Sequence, residues 1–242
     1  MGKFLVAVIV ILLIVGVVVL GLGYLGLVPG VAGLFGSDRP RDLGVRYTAA
    51  DLASGNAKSG TKTTALPAGS APQASYQSGG SIPVQAAFTD EELTAIIAER
   101  AKQWAYFPVS DAQIKIGDDG TVQAAGVLRV DRAYSCATAL GFSTQAVDTA
   151  LSTLKVLNGN VPVYVRGTGS VSNGQVIADL QQVEVGRLTV PAGLLGDKAL
   201  IATTIEQVIE ASGVSANSVT FANGELRFDG SKPETRGLSA AQ

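Results

Sequence analysis

The sequence predicts an α+β fold: a curved antiparallel sheet built from three β-hairpins, with three helices packed on one face, following an N-terminal transmembrane helix. Three observations predict it. Residues 4–28 carry no charge. A complete helix-start signal stands at Thr89. Beyond it, helix-like and hairpin-like patterns alternate three times, with turn glycines at 120, 174 and 224.

The uncharged run, from Phe4 to Val28, is 25 residues long. At about 1.5 Å per residue a helix of that length crosses a hydrocarbon core of roughly 30 Å with some tilt. The apolar part of a signal peptide is usually shorter, about 7–15 residues, so a retained anchor is expected, with cleavage near Gly30-Val31-Ala32-Gly33 as the alternative. Residues 1–3 are then a short head. Lys3 lies on one side of the span and Arg39, Arg41 and Arg46 on the other, so a strict positive-inside count slightly favours a cytoplasmic domain. The expectation is a single-pass cell-membrane protein with its domain outside the cytoplasm, because short N-terminal heads commonly stay in.

Residues 29–82 read as a flexible tether, dominated by small, polar, Pro and Gly residues with little apolar surface to offset ordering entropy. One short helix is expected within it, over 48–53, where Thr48 and Asp51 have capping-box spacing. The α+β domain is expected over 83–232, and residues 233–242 as a disordered tail.

Within that domain Thr89 is the N-cap of the first helix, Glu92 completes the capping box, and Phe88 and Leu93 are spaced as a hydrophobic staple. Leu93, Ile96, Ile97, Ala101 and Trp104 share a face over about four turns, and Pro108 ends the helix. Gln113–Ile116 and Val122–Val130 form a hairpin through Asp119-Gly120. Ser143 caps a second helix carrying Val147, Leu151 and Leu154, stopped at Gly159. Val161–Val171 and Gln175–Val185 pair through Asn173-Gly174, the strongest hairpin signal in the chain. Val176, Ala178 and Leu180 keep one phase while Val183 and Val185 keep the other, which predicts a bulge near Gln181-Gln182. Polar residues alternating along 162–170 read as a solvated outer face. A third helix is expected over Leu195–Ala211, then a hairpin of Val219–Phe221 with Leu226–Phe228 through Asn223-Gly224.

Charge and chemistry exclude more than they assign. Between Pro83 and Lys232 eleven Lys and Arg stand against sixteen Asp and Glu, a balance that disfavours nucleic acid as a partner. Histidine is absent, which removes His-based triads and the usual zinc sites, and no metal or cofactor is expected. Cys136 is the only cysteine, so no intramolecular disulfide forms. Its neighbours supply no activating charge, so it reads as a small buried hydrophobe. Gly167-Thr168-Gly169-Ser170 lacks the Lys-Ser or Lys-Thr of a phosphate loop and lies within a strand, where a bent or closely approached backbone explains it. Asp118-Asp119-Gly120 lacks the alternating ligands of a calcium loop. Nothing in the sequence brings Asp131 and Glu184 together, and Ser135 has no SxxK around it, so the chain is not expected to be an enzyme and no catalytic residue is assigned.

Trp104, Tyr106 and Phe107 form the one conspicuous cluster. Two readings stay open: a core plug at the end of the first helix, or ligand-binding residues at the mouth of an apolar pocket or at the bilayer interface.

Phe88-Thr89 with Glu92-Leu93, the strand Val161-Pro162-Val163-Tyr164-Val165, and Val185-Gly186-Arg187-Leu188 running into Val190-Pro191 carry a further signal. Over about residues 86–230 the chain resembles the YpmS-like family of membrane-anchored bacterial proteins. More loosely it resembles LmeA-like envelope proteins and tubular lipid-binding folds. That resemblance implies a ligand that is a lipid or another apolar molecule. The expected partners are therefore the bilayer, through residues 4–28, and either such a ligand or another envelope protein. Function is read as a non-catalytic binding domain, with a structural or protein-interaction domain as the alternative.

Overall fold

The computed structural model describes residues 38–142, 160–191 and 198–241. The expected transmembrane span at 4–28 and the expected helix at 143–159 lie outside the described residues. No helix among the described residues is long and apolar enough to cross a membrane.

Among the described residues the fold is α+β, with four helices and mostly antiparallel sheets that remain open. In chain order the elements are α1 (Ala49–Ser59), β1 (Lys62–Leu66), a 3-10 turn (Pro72–Ala74), β2 (Tyr76–Gly79), β3 (Ile82–Thr89) and α2 (Asp90–Gln103). There follow β4 (Val109–Ile116), β5 (Val122–Arg129), α3 (Val130–Ala139), β6 (Asn160–Ser172), β7 (Gln175–Val185) and β8 (Leu188–Thr189). The chain closes with α4 (Lys198–Ala211), β9 (Ser215–Ala222), β10 (Glu225–Lys232) and β11 (Thr235–Ser239).

All three expected hairpins form: β4 with β5, β6 with β7, and β9 with β10. Asn173-Gly174 and Asn223-Gly224 each place both central residues at positive φ, the geometry that two-residue hairpin turns require. Asp119-Gly120 differs. Only Gly120 has positive φ, because the loop runs from Gly117 to Thr121 and the Asp119 carboxylate accepts the Thr121 N–H at 2.9 Å. The bulge falls where the change of phase puts it: Arg166 faces Gln182 while Gly167 faces Leu180, leaving Gln181 as the extra residue.

The large sheet has eight strands in the order β3-β10-β9-β6-β5-β4, with β7 and β8 branching from β6. Strand β6 is the pivot. One of its edges carries β7 over almost its whole length. The other is shared, by β5 along Asn160–Gly167 and by β9 at Val171 and Ser172. End strands β3 and β4 both contact α2. Asp90 and Thr94 of α2 accept the outward N–H groups of Ile116 and Ile114 at 2.9 and 3.0 Å, so the helix satisfies the open β4 edge.

Helix α2 starts as its capping box predicts: the Glu92 carboxylate accepts the Thr89 N–H at 3.0 Å, and Thr89 Oγ1 accepts the Glu92 N–H at 3.3 Å. Helix α3 follows β5 directly and was not expected from the sequence.

Residues 38–82 of the segment expected as a flexible tether are structured instead. The helix read as 48–53 extends over Ala49–Ser59 and packs on α2, where Gly55 comes so close that an added Cβ would meet Ile96 Cδ1 at 2.9 Å. Strand β11, in the stretch expected as a disordered tail, pairs parallel with β1 and antiparallel with β2. A composition poor in apolar residues is offset here by ladder hydrogen bonds and by polar groups that bond internally. Ser75 and Ser239 are fully buried, and each hydroxyl donates to a proline carbonyl, Pro72 and Pro67 respectively, at 2.7 Å.

The outer face of β6 is also covered, contrary to the expected solvated face. Tyr164 is buried there in a cluster with Leu43, Val45 and Ala125. The Arg41 guanidinium lies 3.9 Å from the Tyr164 ring centroid and donates twice to Glu184, at 2.8 and 2.9 Å.

Candidate apolar ligand site

The opposite, inner face of the sheet holds the candidate site. Because β5 and β9 share one edge of β6, their inward side chains converge over the middle of that strand. Val165 and Val171 point inward from β6, flanked by Val122 and Ala124 on β5, Val176 and Leu180 on β7, and Leu226 and Phe228 on β10. Helix α4 lies across them and contributes Ile205 and Ile209. Between helix and sheet is a cavity of about 400 Å³.

Small residues make the space. Ala124, Gly167, Gly169, Ala178 and Ala216 line the cavity at positions where larger aliphatic side chains would fill it. Gly167 has a second reason to lack a side chain, since a Cβ there would collide with the Asp179 carbonyl across the bulge. Among the described lining side chains only those of Thr168 and Ser170 carry polar atoms. Helix α4 is fixed to the sheet by polar contacts outside the lining: Glu206 accepts the Val176 N–H at 2.9 Å, and Lys198 pairs with Asp179.

Such a cavity has a limited chemical repertoire. Its volume lies within the roughly 300–1,000 Å³ typical of small-molecule sites, and the described residues of its walls offer no ionisable group for acid-base or nucleophilic chemistry. What it offers is burial, about 0.8 kcal/mol for each methylene taken out of water. A cleft of about 520 Å³ where residues 40–47 cross α2 and β4 is different, with the charged residues Arg46, Lys102 and Asp111 in its lining.

The aromatic residues singled out in the sequence lie elsewhere. Trp104 is 3 % exposed, its indole N–H donates to Ser75 Oγ at 3.1 Å, and its ring packs 5.3 Å from Tyr76 and 6.2 Å from Phe107. Tyr106 donates its hydroxyl to the Ser70 carbonyl at 3.0 Å. None of the three lines the apolar cavity. Trp104 is buried against residues 75 and 76 at the end of α2, with Tyr106 and Phe107 half-buried beside it. The sequence reading missed the cavity itself. Its available signal was the recurrence of Gly and Ala at inward positions of otherwise valine-rich strands.

Burial pushes the Cys136 thiol up to about 11, which keeps it protonated and unreactive at neutral pH. Among the described residues no group of three or more His, Cys, Asp and Glu is placed to hold a metal. Compared with protein-family models, curated proteins and solved structures, the chain matches none.

Proposed function

We propose that this chain is a single-pass, membrane-anchored envelope protein whose α+β domain binds a lipid or another apolar ligand without catalysing a reaction. The observation that carries the reading is the cavity of about 400 Å³ between α4 and the sheet, with aliphatic and aromatic side chains dominating its walls. The uncharged run at 4–28 supports the anchor. The resemblance to YpmS-like and LmeA-like proteins supports the same build.

Folding of residues 38–82 into the domain alters how it would be held. With a span ending at Val28 and Leu43 already buried, the fourteen residues between them reach at most about 50 Å fully extended. The cavity is therefore held within reach of the bilayer that would supply its ligand.

Native mass spectrometry of the full chain, released from neutral amphipol after exposure to membrane lipid, tests the reading. The expected result is a stoichiometric lipid adduct that is lost in Ala178→Phe, which fills the cavity, and retained in Trp104→Phe. A folded protein with no adduct would overturn it and favour docking to another envelope protein.

A further inference from the structure

The cavity does not end in apolar residues on every side. Ile209 and Val214 form its wall where α4 finishes, and between them the Ser212 carbonyl accepts the Tyr76 hydroxyl at 2.9 Å. The same Tyr76 oxygen lies 3.4 Å from Arg236 Nε. Along β10, the face that presents Leu226 and Phe228 to the cavity continues through Gly230 to Lys232, whose partners on β3 carry the same alternation. Lys232 Nζ stands 5.7 Å from the Phe228 ring and 5.3 Å from the Phe88 ring, and donates to Ser59 Oγ at 3.0 Å. Two separate paths, one through α4 and one through β10, thus lead from the apolar walls to a cation.

A third cation, Arg100 of α2, completes the group. Arg236 is only 5 % exposed. Burial together with the charge of Arg236 pushes Arg100 down to about 10, and burial with the charges of Arg236 and Arg100 pushes Lys232 down to about 8. Among the described residues no carboxylate acts on either. Glu92 is paired with Lys58 and Ser54, and Glu234 with Lys62. Three cations, each disfavouring its neighbours' charge with no described carboxylate to offset it, are costly in a fold, and an oxyanion among them removes that cost.

We infer that the cavity's ligand is an anionic amphiphile: its hydrocarbon chain lies between α4 and the sheet, and its acidic group, a carboxylate or a phosphate, is held by Arg100, Lys232 and Arg236. This inference rests on the apolar-ligand reading and names the class of ligand. Guanidinium groups suit the paired oxygens of either acid, and the lysine supplies a point charge beside them.

The test is competition for a fluorescent sixteen-carbon alkyl probe bound by the full chain in neutral amphipol. The competitors are palmitate, hexadecyl phosphate, hexadecanol and inorganic phosphate. Both charged amphiphiles are expected to compete about tenfold or more better than hexadecanol, and inorganic phosphate alone not to displace the probe. Lys232→Gln should bring the charged amphiphiles to within about threefold of hexadecanol while leaving hexadecanol unchanged, and Lys232→Arg should restore the preference. Arg100→Gln provides a second variant should either substitution at 232 disturb folding. Equal competition by charged and neutral chains in the parent protein, or a preference that survives both glutamine variants, would overturn the headgroup assignment and leave the apolar cavity standing. Failure of every chain to bind would overturn the cavity reading itself. Saturation by inorganic phosphate with the affinity of hexadecyl phosphate would replace the amphiphile with a small-anion site.

Discussion

The Lys58 ammonium lies 2.7 Å from the Glu92 carboxylate, joining the end of α1 to the first turn of α2. Glu92 is 4 % exposed and also accepts from Ser54 Oγ and the Thr89 N–H, so one buried side chain closes a capping box and fastens a second helix. Burial raises its pKa, but the bonds from Lys58, Ser54 and Thr89 outweigh burial and hold it below the ordinary value. A depressed carboxylate contributes stability that is present above its unfolded pKa, near 4.3, and is lost as pH falls through the folded value. Glu92→Ala is expected to cost about 3 kcal/mol at pH 7, and Lys58→Ala, at the more exposed end, about 1 kcal/mol. Chemical denaturation at pH 7 and pH 3 checks both, and the Glu92→Ala deficit should shrink at the lower pH.

Domain boundaries provide a second prediction. A fragment beginning at Pro83 lacks α1, β1 and β2, and leaves β11 without either of its strand neighbours. It also uncovers Trp104 by removing Ser75 and Tyr76. We expect that fragment to be poorly soluble or to show a broad, weakly cooperative melt. A fragment beginning at Ser37 should melt as one transition, and differential scanning calorimetry of the two distinguishes these outcomes.

The bulge in the central hairpin makes a third. Gly167 sits where the register with β7 shifts, and a methyl group there would run into the Asp179 carbonyl, which is backbone and has little room to yield. Gly167→Ala should therefore cost about 2 kcal/mol or more, through overpacking rather than lost conformational freedom. Gly169→Ala meets the Ile177 carbonyl at 3.3 Å and should cost less. Because both positions also line the cavity, thermal melts read alongside ligand binding separate the effect on folding from the effect on the site.

Local signals explain what was legible in the sequence. Thr89 with Glu92, the two Asn-Gly turns and the change of phase at Gln181 are chemistry contained within a few residues, and each reappears at its expected place. Residues 54–82 were misread because their order comes from partners far along the chain. Strand β1 needs β11 more than 160 residues later, and Lys232 reaches back to Ser59. Tyr164 was assigned to a solvated face for the same reason, since Leu43 and Val45 cover it from a segment that composition marked as loose. Trp104 was conspicuous as a rare aromatic, yet a buried indole with its N–H satisfied is a packing solution. The cavity was harder to see than any of these, because it is made by side chains that are missing. Ala124, Gly167, Gly169 and Ala178 become one feature only when strand register brings them together.

Lys232 connects folding to pH with the same sign as Glu92 but in a higher window, through a burial penalty that is relieved rather than a set of bonds that is gained. Its neighbours are the cations Arg100 from α2 and Arg236 from β11, Ser59 at the end of α1, and the rings of Phe88 and Phe228. Its folded pKa, pushed down to about 8, lies below the unfolded value near 10.4, so between these values the unfolded chain binds more protons than the folded one. Stability from this group therefore rises with pH through that window, and below about pH 8 the cost of burying its charge is fully present. Melting temperatures taken from pH 7 to 9.5 should show this rise, and Lys232→Met should flatten it while raising stability at pH 7. An anion seated among the three cations should flatten the same slope in the parent protein, because it favours the charged lysine. A parent profile as flat as that of Lys232→Met, measured without added anion, would mean that the lysine carries no burial penalty and that its charge is solvated in the folded state.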